Sequence, residues 1–443
     1  MRVRVKKTKS LEGKLSLPGD KSLSHRALLF SALAEGKSTF SNLGPGADIR
    51  STATCLRGLG VHVVIDENGN AEVEGVGLHG LQNPSEDLDC GNSGTSIRLL
   101  SGVVAGAKVN CRLIGDEGLS KRPMARVLDP LARMNATVKG TQQGEKQTPP
   151  LQFIATAIQG FSHKLPIASA QVKSCLLLAG LFAEGATSVL EPHLSRDHTE
   201  RMLLAQGAPI KIHDDRSISI SLPSNPLLPF AETRIPGDPS SAAFFAVAAS
   251  LVQNASIRLE NASNNKTRVG FLRVLERMGA TLEIVSQGES LGDEVCDIVL
   301  QAPQKGLMAT NIGGDEIPSL VDEVPILAVL ATQCEGTTII SGAKELRVKE
   351  CDRISAMVQG LQKMGADVEE QEDGMIIHGP TPLKGGVLNS LGDHRIAMSF
   401  AVAGLVAETP VIVEEAQWAC ISYPAFFEEL KALGADCEVI DDD

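Results

Sequence analysis

"PGDKSLSHRALLFSALAEGKSTF", residues 18–40, joins a turn, a nearly apolar helix, a glycine break and a β-branched run. The same phrase returns as "CGNSGTSIRLLSGVVAGAKVNCRLI" (90–114), "SAQVKSCLLLAGLFAEGATSVL" (169–190), "PGDPSSAAFFAVAASLVQNASIRL" (236–259), "PSLVDEVPILAVLATQCEGTTII" (318–340) and "LGDHRIAMSFAVAGLVAETPVIV" (391–413). Each copy leads to a second helix that stops at Gly or Asn and runs into a strand, as in "LRGLGVHVVI" (56–65), "LARMNATV" (131–138) and "VLERMGATLEI" (274–284). Gly or Asn past the last apolar turn is a C-cap signal, and alternating Val and Ile reads as strand. The pattern predicts six α/β modules of roughly 70 to 85 residues each.

The first helix of each module is apolar on every side and should be buried, with small residues allowing close approach. Six modules divide into two similar α/β domains. Repeats 1–3 are expected to form one over 20–236. Repeats 4–6 form the other, over 1–19 and 237–443, the N-terminal strand "MRVRVKKTKSLEGKLSLPG" included.

Composition narrows the function. The chain has 443 residues, 43% of them hydrophobic, a formal net charge of −13 and only 3% aromatics. That balance argues against a nucleic-acid surface, which needs a cationic field and often stacking rings. No apolar run reaches the roughly 18 residues of a membrane span, and none of signal-peptide type follows the basic opening, so no membrane contact and a cytoplasmic location are expected. Nine scattered cysteines without a C-x-x-C pair signal neither a disulfide framework nor a zinc knuckle.

What differs between the copies sits where the buried helices begin. The first carries Lys21, Ser22 and Arg26; the second Asn92, Ser93, Thr95 and Arg98; the third Ser169, Gln171 and Lys173. The fifth carries Asp322 and Glu323, the sixth Asp393, His394 and Arg395, and the fourth only "GDPSS". Capping accounts for Asp20, Ser22, Ser93, Asp238 and Asp393, and Pro239 suits a first helical position. Capping needs no Lys or Arg. A helix N-terminus is already the positive end of the dipole, so added cations make sense with an anion nearby.

Two further cationic clusters precede helices: Lys121, Arg122 and Arg126 in "GDEGLSKRPMARVLDPL", and Arg347, Lys349 and Arg353 with Glu350 in "ELRVKECDRISAM". For the second, a solvated face with Glu350 making i,i+3 pairs is the plainer reading. In "HLSRDHTERM", Asp197 and Glu200 have capping-box spacing, which leaves Arg196 and His198 over. Asp197 and His198 have no third ligand at useful spacing, so no metal site is expected. Charge-assisted bonds contribute about 1.5–3 kcal/mol each. Several of them imply a small ligand, or a pair, with several anionic groups. Neither a Walker A nor a G-x-G-x-x-G motif follows a strand, which favours phosphorylated metabolites over nucleotides.

Seven stretches carry a family resemblance: "LPGDKSLSHRALL", "GNSGTSIRLLSG", "GDEGLSKRPM", "SAQVKS", "RDHTE", "LRVKECDRI" and "GDHRIAM". They run in family order along nearly the whole chain, which resembles the 5-enolpyruvylshikimate-3-phosphate synthases among the enolpyruvyl transferases. The resemblance implies two inverted α/β domains, each of three βαβαββ repeats, with the active site in the cleft between them. It implies transfer of the enolpyruvyl group of phosphoenolpyruvate to the 5-hydroxyl of shikimate 3-phosphate with release of phosphate, on the route to chorismate and the aromatic amino acids. It implies no cofactor, no metal and a monomer.

By the same resemblance Lys21 touches both substrates, and Ser22, Arg26, Ser169, Ala170 and Arg196 hold shikimate 3-phosphate. Gln171 reaches both ligands. Gly94, Arg122, Arg353 and Arg395 line the phosphoenolpyruvate pocket beside Asn92 and Thr95, and Asp322 and Lys349 hold the ring hydroxyls. Addition followed by elimination through a tetrahedral intermediate moves protons on and off carbon and oxygen. Asp322 and Glu350 are the carboxylate candidates, Lys21 the proton donor to the departing phosphate, and His394 a stabiliser of developing charge beside the arginines.

Ile421 in "CISYPAFF" stands where many members of the family have Lys, which removes one expected phosphoenolpyruvate contact. "GDKS", "SAQVK", "RDHTE" and "NKTR" (265–268) resemble the glyphosate-tolerant class, while Gly94 keeps the position where a bulkier side chain would exclude that inhibitor. The alternatives are a UDP-N-acetylglucosamine enolpyruvyl transferase, with Cys111 as its loop thiol, and a non-catalytic module that binds a phosphorylated ligand. Carboxylates beside the cations speak against the second, since simple anion capture has no use for them.

Overall fold

The computed structural model describes residues 1–440. The chain forms two compact units. One comprises Met1–Pro18, Pro236–Glu289 and the chain from Glu294 onward; the other comprises Gly19–Ile235 and Ser290–Asp293. The last four residues are the tip of a hairpin between Thr281–Ser290 and Asp293–Gln301. The sequence reading left them with the C-terminal repeats.

The described residues contain six four-stranded sheets with one plan. Leu88–Asp89 runs parallel to Cys111–Ile114, joined through the helix Gly94–Gly106, and the strands Lys146–Ile154 and Thr137–Gln143 then add antiparallel. A parallel pair needs such a crossover, whereas the second pair closes as a hairpin. Asn311–Ile312, Gly336–Ile340, Gly374–Gly379 and Asp367–Gln371 repeat the arrangement.

Three strands come from distant parts of the chain. Thr233–Arg234 lies parallel to Glu35–Ser41 of the first repeat, and Ser10–Ser16 parallel to Asn254–Ser263 of the fourth. In the sixth repeat Arg2–Val5 is inserted between Val411–Glu414 and Cys437–Ile440. The N-terminal stretch read as one strand is therefore two strands in two sheets. Its period-2 pattern explains the insertion: Val3 and Val5 are fully buried, while Arg4 Nε donates to Glu438 Oε1 at 2.7 Å.

Each unit has its own core around three helices. In one, Pro239–Leu251, Val324–Ala331 and His394–Gly404 are buried at almost every position. In the other the same holds for Lys21–Leu33, Gly94–Gly106 and Ala170–Gly180. A Cβ at Gly102 would lie 2.1 Å from the Cys175 carbonyl oxygen, so these two helices touch backbone to backbone, as only glycine permits. Asp20, Ser93, Asp238 and Asp393 cap their helices through their side chains, and Pro239 opens its helix.

The capping box expected at Asp197 and Glu200 does not form. Asp197 accepts from Arg201 Nε at 2.7 Å, and the Glu200 carboxylate lies 2.6 Å from Lys173 Nζ. A lysine ammonium that is 1% exposed requires counter-charges, and this need outweighs a local cap.

Candidate functional site

In the Gly19–Ile235 unit, hydrogen bonds tie the first turns of the buried helices to one another. Arg26 is 3% exposed; its Nη2 donates to Ser174 Oγ and its Nε to Thr199 Oγ1, both at 2.8 Å, and its Nη1 to the Ser22 carbonyl at 3.0 Å. Arg98 Nη1 donates to Gln171 Oε1 at 2.5 Å, and Gln171 Nε2 to Thr95 Oγ1 at 3.0 Å. Arg122 Nη2 donates to Asn92 Oδ1 at 2.5 Å, and Asn92 Nδ2 to Asp116 Oδ2 at 2.8 Å. Lys21 Nζ lies 3.3 Å from Asp48 Oδ2. Ser169 caps the helix in which Ala170 is the first residue, and Arg196 is half-buried just ahead of the helix His198–Ala205.

Gly94 sits against two of these cations. A Cβ there would be 2.9 Å from Arg98 Nη1 and 3.1 Å from Arg122 Nη1. Lys173, counted among the helix-start cations, faces inward instead, between Glu191 Oε2 at 2.7 Å and Glu200 Oε1 at 2.6 Å.

In the other unit the corresponding helix starts gather carboxylates and guanidinium groups together. Arg353, 2% exposed, donates from Nε to Asp393 Oδ2 and from Nη2 to Glu350 Oε2, both at 2.7 Å, and from Nη1 to Asp322 Oδ1 at 3.4 Å. Burial opposes its charge, but Asp393, Glu350 and Asp322 outweigh burial and hold its proton more tightly than usual. Lys349 Nζ lies 3.6 Å from Asp322 Oδ1 and 2.8 Å from Glu345 Oε1. Arg395 Nη1 donates to the Asp322 carbonyl at 3.1 Å, and its Nη2 lies 3.7 Å from Asp322 Oδ2. Asp322 thus faces three cations.

Beside it, Glu323 is 1% exposed, accepts from Ser240 Oγ at 2.5 Å and lies 3.6 Å from Arg395 Nη1. Burial pushes its carboxyl above the usual range, against the pull of Arg395. Arg268 Nη2 donates to Ser240 Oγ at 2.9 Å and to Asp238 Oδ1 at 3.1 Å. The fourth repeat, whose "GDPSS" offered only a cap, therefore joins this network through Ser240. "NKTR" already contained Arg268, but no spacing rule connects it to Glu323.

His394 is 3% exposed, and neither ring nitrogen has a hydrogen-bond partner among the described residues. Burial pulls its pKa from 6.5 to about 4, and that of the buried His25 to about 3. His394 is neutral near pH 7, able to donate a hydrogen bond but not to offer a full charge. In the unfolded chain both histidines take up protons as pH falls through 6.5; in the native chain they do so only near 4 and 3. The native state is thus favoured above the unfolded value and loses stability as pH falls below it, by about 1.4 kcal/mol per pH unit for each histidine. Denaturant midpoints measured from about pH 7 to about pH 4.5 should decline, and less steeply in His394→Asn. Equal slopes in the two proteins would contradict this assignment.

Asp197 and His198 do acquire a third neighbour, Asp293, with ligand atoms within 4.8 Å of one another. That hairpin-tip residue lies too far along the chain for spacing to reveal. Arg201 stands in the cluster, 2.7 Å from Asp197 Oδ2 and 3.6 Å from Asp293 Oδ1, and His198 Nδ1 lies 2.9 Å from Asp293 Oδ2. A guanidinium already supplies the positive charge a metal would bring. Cys111 is buried in its strand, and burial raises its thiol to about 12, unlike a reactive loop cysteine. Ile421 ends a short 3-10 turn, half-buried.

Comparison with known proteins identifies the family and supports the fold. Residues 5–430 match the family model for EPSP synthase (3-phosphoshikimate 1-carboxyvinyltransferase). The 3-phosphoshikimate 1-carboxyvinyltransferase of Bacillus thuringiensis strain Al Hakam is 46% identical over 424 residues, covering 96% of this chain and 97% of that one. That of Bacillus subtilis strain 168 is 46% identical over 428 residues, covering 96% and 98%. A solved EPSP synthase from Acinetobacter baumannii superposes with a TM-score of 0.90 at 41% identity, over 99% of this chain and all of the other. With its motifs, its repeat plan and its relatives in agreement over nearly their full lengths, this chain belongs to the EPSP synthase family.

Proposed function

We propose that this protein transfers the enolpyruvyl group of phosphoenolpyruvate to the 5-hydroxyl of shikimate 3-phosphate and releases phosphate. The observation that carries the reading is Asp322 set among Lys349, Arg353 and Arg395, a carboxylate placed where anion binding alone would want none. Shikimate 3-phosphate is held by Ser22, Arg26, Ser169, Ala170, Gln171 and Arg196, with Asp322 and Lys349 on its ring hydroxyls. Phosphoenolpyruvate is held by Arg122, Arg353 and Arg395 beside Asn92, Gly94 and Thr95, and Lys21 serves both substrates. Arg122, Arg353 and Arg395 already have polar or anionic partners, so the donors that receive a substrate oxyanion are oriented in advance.

In the addition step the 5-hydroxyl oxygen bonds to C2 of phosphoenolpyruvate, its proton leaves to a base, and C3 gains a proton. In the elimination step the new methyl group returns a proton and the C2–O bond to phosphate breaks. Asp322 and Glu350 are the carboxylates for these transfers, and Lys21 protonates the departing phosphate. The test is phosphate release from phosphoenolpyruvate with and without shikimate 3-phosphate, repeated in EDTA. Release that requires both substrates and ignores EDTA is the expected result; release without shikimate 3-phosphate overturns the reading.

Gly94→Ala is expected to raise KM for phosphoenolpyruvate through Arg122, and KM for shikimate 3-phosphate by less, through Arg98 and its partner Gln171. The new Cβ obliges Arg98 and Arg122 to retreat by a few tenths of an ångström. A displacement of 1 Å can cost a hundredfold, so a rise of roughly three- to tenfold is expected. An unchanged KM for phosphoenolpyruvate would show that Arg122 does not contact that substrate.

A further inference from the structure

The triad of Lys173, Glu191 and Glu200 lies beneath the residues assigned to shikimate 3-phosphate without being among them. All three side chains are at most 2% exposed. Such a triad is a poor source of stability, because desolvation offsets most of the attraction and apolar residues of the same volume would serve as well. What it adds is direction. Lys173 projects from the helix that begins at Ser169, Ala170 and Gln171, and Glu191 begins the loop that leads to Arg196. Glu191 uses both oxygens: Oε1 accepts from Ser195 Oγ, and Oε2 takes Lys173 Nζ at 2.7 Å and the Ser195 backbone N–H at 3.5 Å. The residue next to Ser195 is Arg196.

The two neighbours of this triad hold the third contributor. Ser174 follows Lys173 and Thr199 precedes Glu200; their hydroxyls lie 2.6 Å apart and both accept from Arg26. Two buried sets of contacts, adjacent along the chain at Lys173–Ser174 and Thr199–Glu200, therefore tie the helix that begins at Ser169 to the Ser195 backbone and to Arg26.

We propose that Lys173 and Glu191 are positioning residues for the shikimate 3-phosphate site, with Glu191 fixing the Ser195–Arg196 backbone against the helix that begins at Ser169. This rests on the functional reading above. Without that register Arg196 loses its aim at the substrate phosphate, while the groups assigned to phosphoenolpyruvate and to proton transfer stay in place.

Glu191→Gln tests it. Glutamine brings no negative charge to Lys173, and its amide can meet Ser195 Oγ only by donating where the carboxylate accepted, so the hold on the Ser195–Arg196 backbone weakens, yet Lys173 still has Glu200 as a counter-charge. KM for shikimate 3-phosphate should rise about tenfold, equivalent to about 1.4 kcal/mol, with kcat and KM for phosphoenolpyruvate changed less than about threefold. Ser195→Ala, which leaves the triad charges intact, should shift the same constant in the same direction and keeps the test available if Glu191→Gln folds poorly. Glu200→Gln removes triad charge without touching the loop, so it should lower Tm and spare KM for shikimate 3-phosphate. An unchanged KM for shikimate 3-phosphate in both Glu191→Gln and Ser195→Ala, an equal rise in both substrates' KM, or the same rise in Glu200→Gln overturns the proposal. Wild-type protein without saturable dependence on shikimate 3-phosphate overturns the parent reading, and the positioning role with it.

Discussion

Asp322→Asn is expected to lower kcat by about a thousandfold, within the 10²–10⁴ that a positioned acid or base contributes, while Kd for shikimate 3-phosphate changes less than about tenfold. The asparagine keeps the size of the side chain and a carbonyl oxygen for Lys349 and Arg353, but it cannot accept a proton. Lys349 and Arg353 retain Glu345, Glu350 and Asp393 as partners, so the site should keep its shape. Single-turnover rates with both substrates saturating, together with calorimetric titration of shikimate 3-phosphate, separate chemistry from binding. A kcat within threefold of wild type would remove Asp322 from the proton-transfer steps and leave Glu350 as the carboxylate that performs them.

Arg353→Met should destabilise the fold by about 3–5 kcal/mol, the usual cost of removing one partner from a buried ion pair. This arginine faces Asp393, Glu350 and Asp322 at once. Asp393 is fully buried and also caps the helix His394–Gly404, where it accepts from the Arg395 and Ile396 backbone N–H groups. With methionine in its place, Asp393 keeps its cap bonds but loses its counter-charge. The loss should ease as pH falls and the carboxylates become protonated, because the penalty comes from their charge. Urea midpoints at two pH values test both parts. A loss that is the same at low and neutral pH would mean that lost packing, rather than uncompensated charge, sets the effect.

The repeat structure was legible because one signal dominated. A helix that is apolar on every side can only be buried, and six of them at similar spacing call for six similar modules. The caps were legible for the same local reason, since Asp20, Ser93, Asp238 and Asp393 act on N–H groups two or three residues away. Where a distant charge competed, local reading failed. Glu200 had the spacing for a capping box, but Lys173 was buried beside it and took its carboxylate.

The positions of the strands were less legible than their existence. The N-terminal stretch was legible as strand, but not that it would divide, with Arg2–Val5 entering the sixth repeat between Val411–Glu414 and Cys437–Ile440 and Ser10–Ser16 joining the fourth. Thr233–Arg234 is only two residues long, too short for any periodicity, and it joins the first repeat. The hairpin tip at Ser290–Asp293 belongs to neither pattern, yet it brings Asp293 to His198.

By itself the sequence determined the α/β class, the six modules, the capped helix starts and the inventory of cations and carboxylates, because each follows from side chains within a turn or two of one another. Tertiary structure alone decided which of those charges face one another. It set Lys173 inward against Glu191 and Glu200, joined Arg26 to Ser174 and Thr199, and placed Arg353 on three carboxylates from three parts of the chain. The physical reason is desolvation. A charge taken out of water must find its partner wherever the packed chain places one, and sequence distance has no bearing on that search.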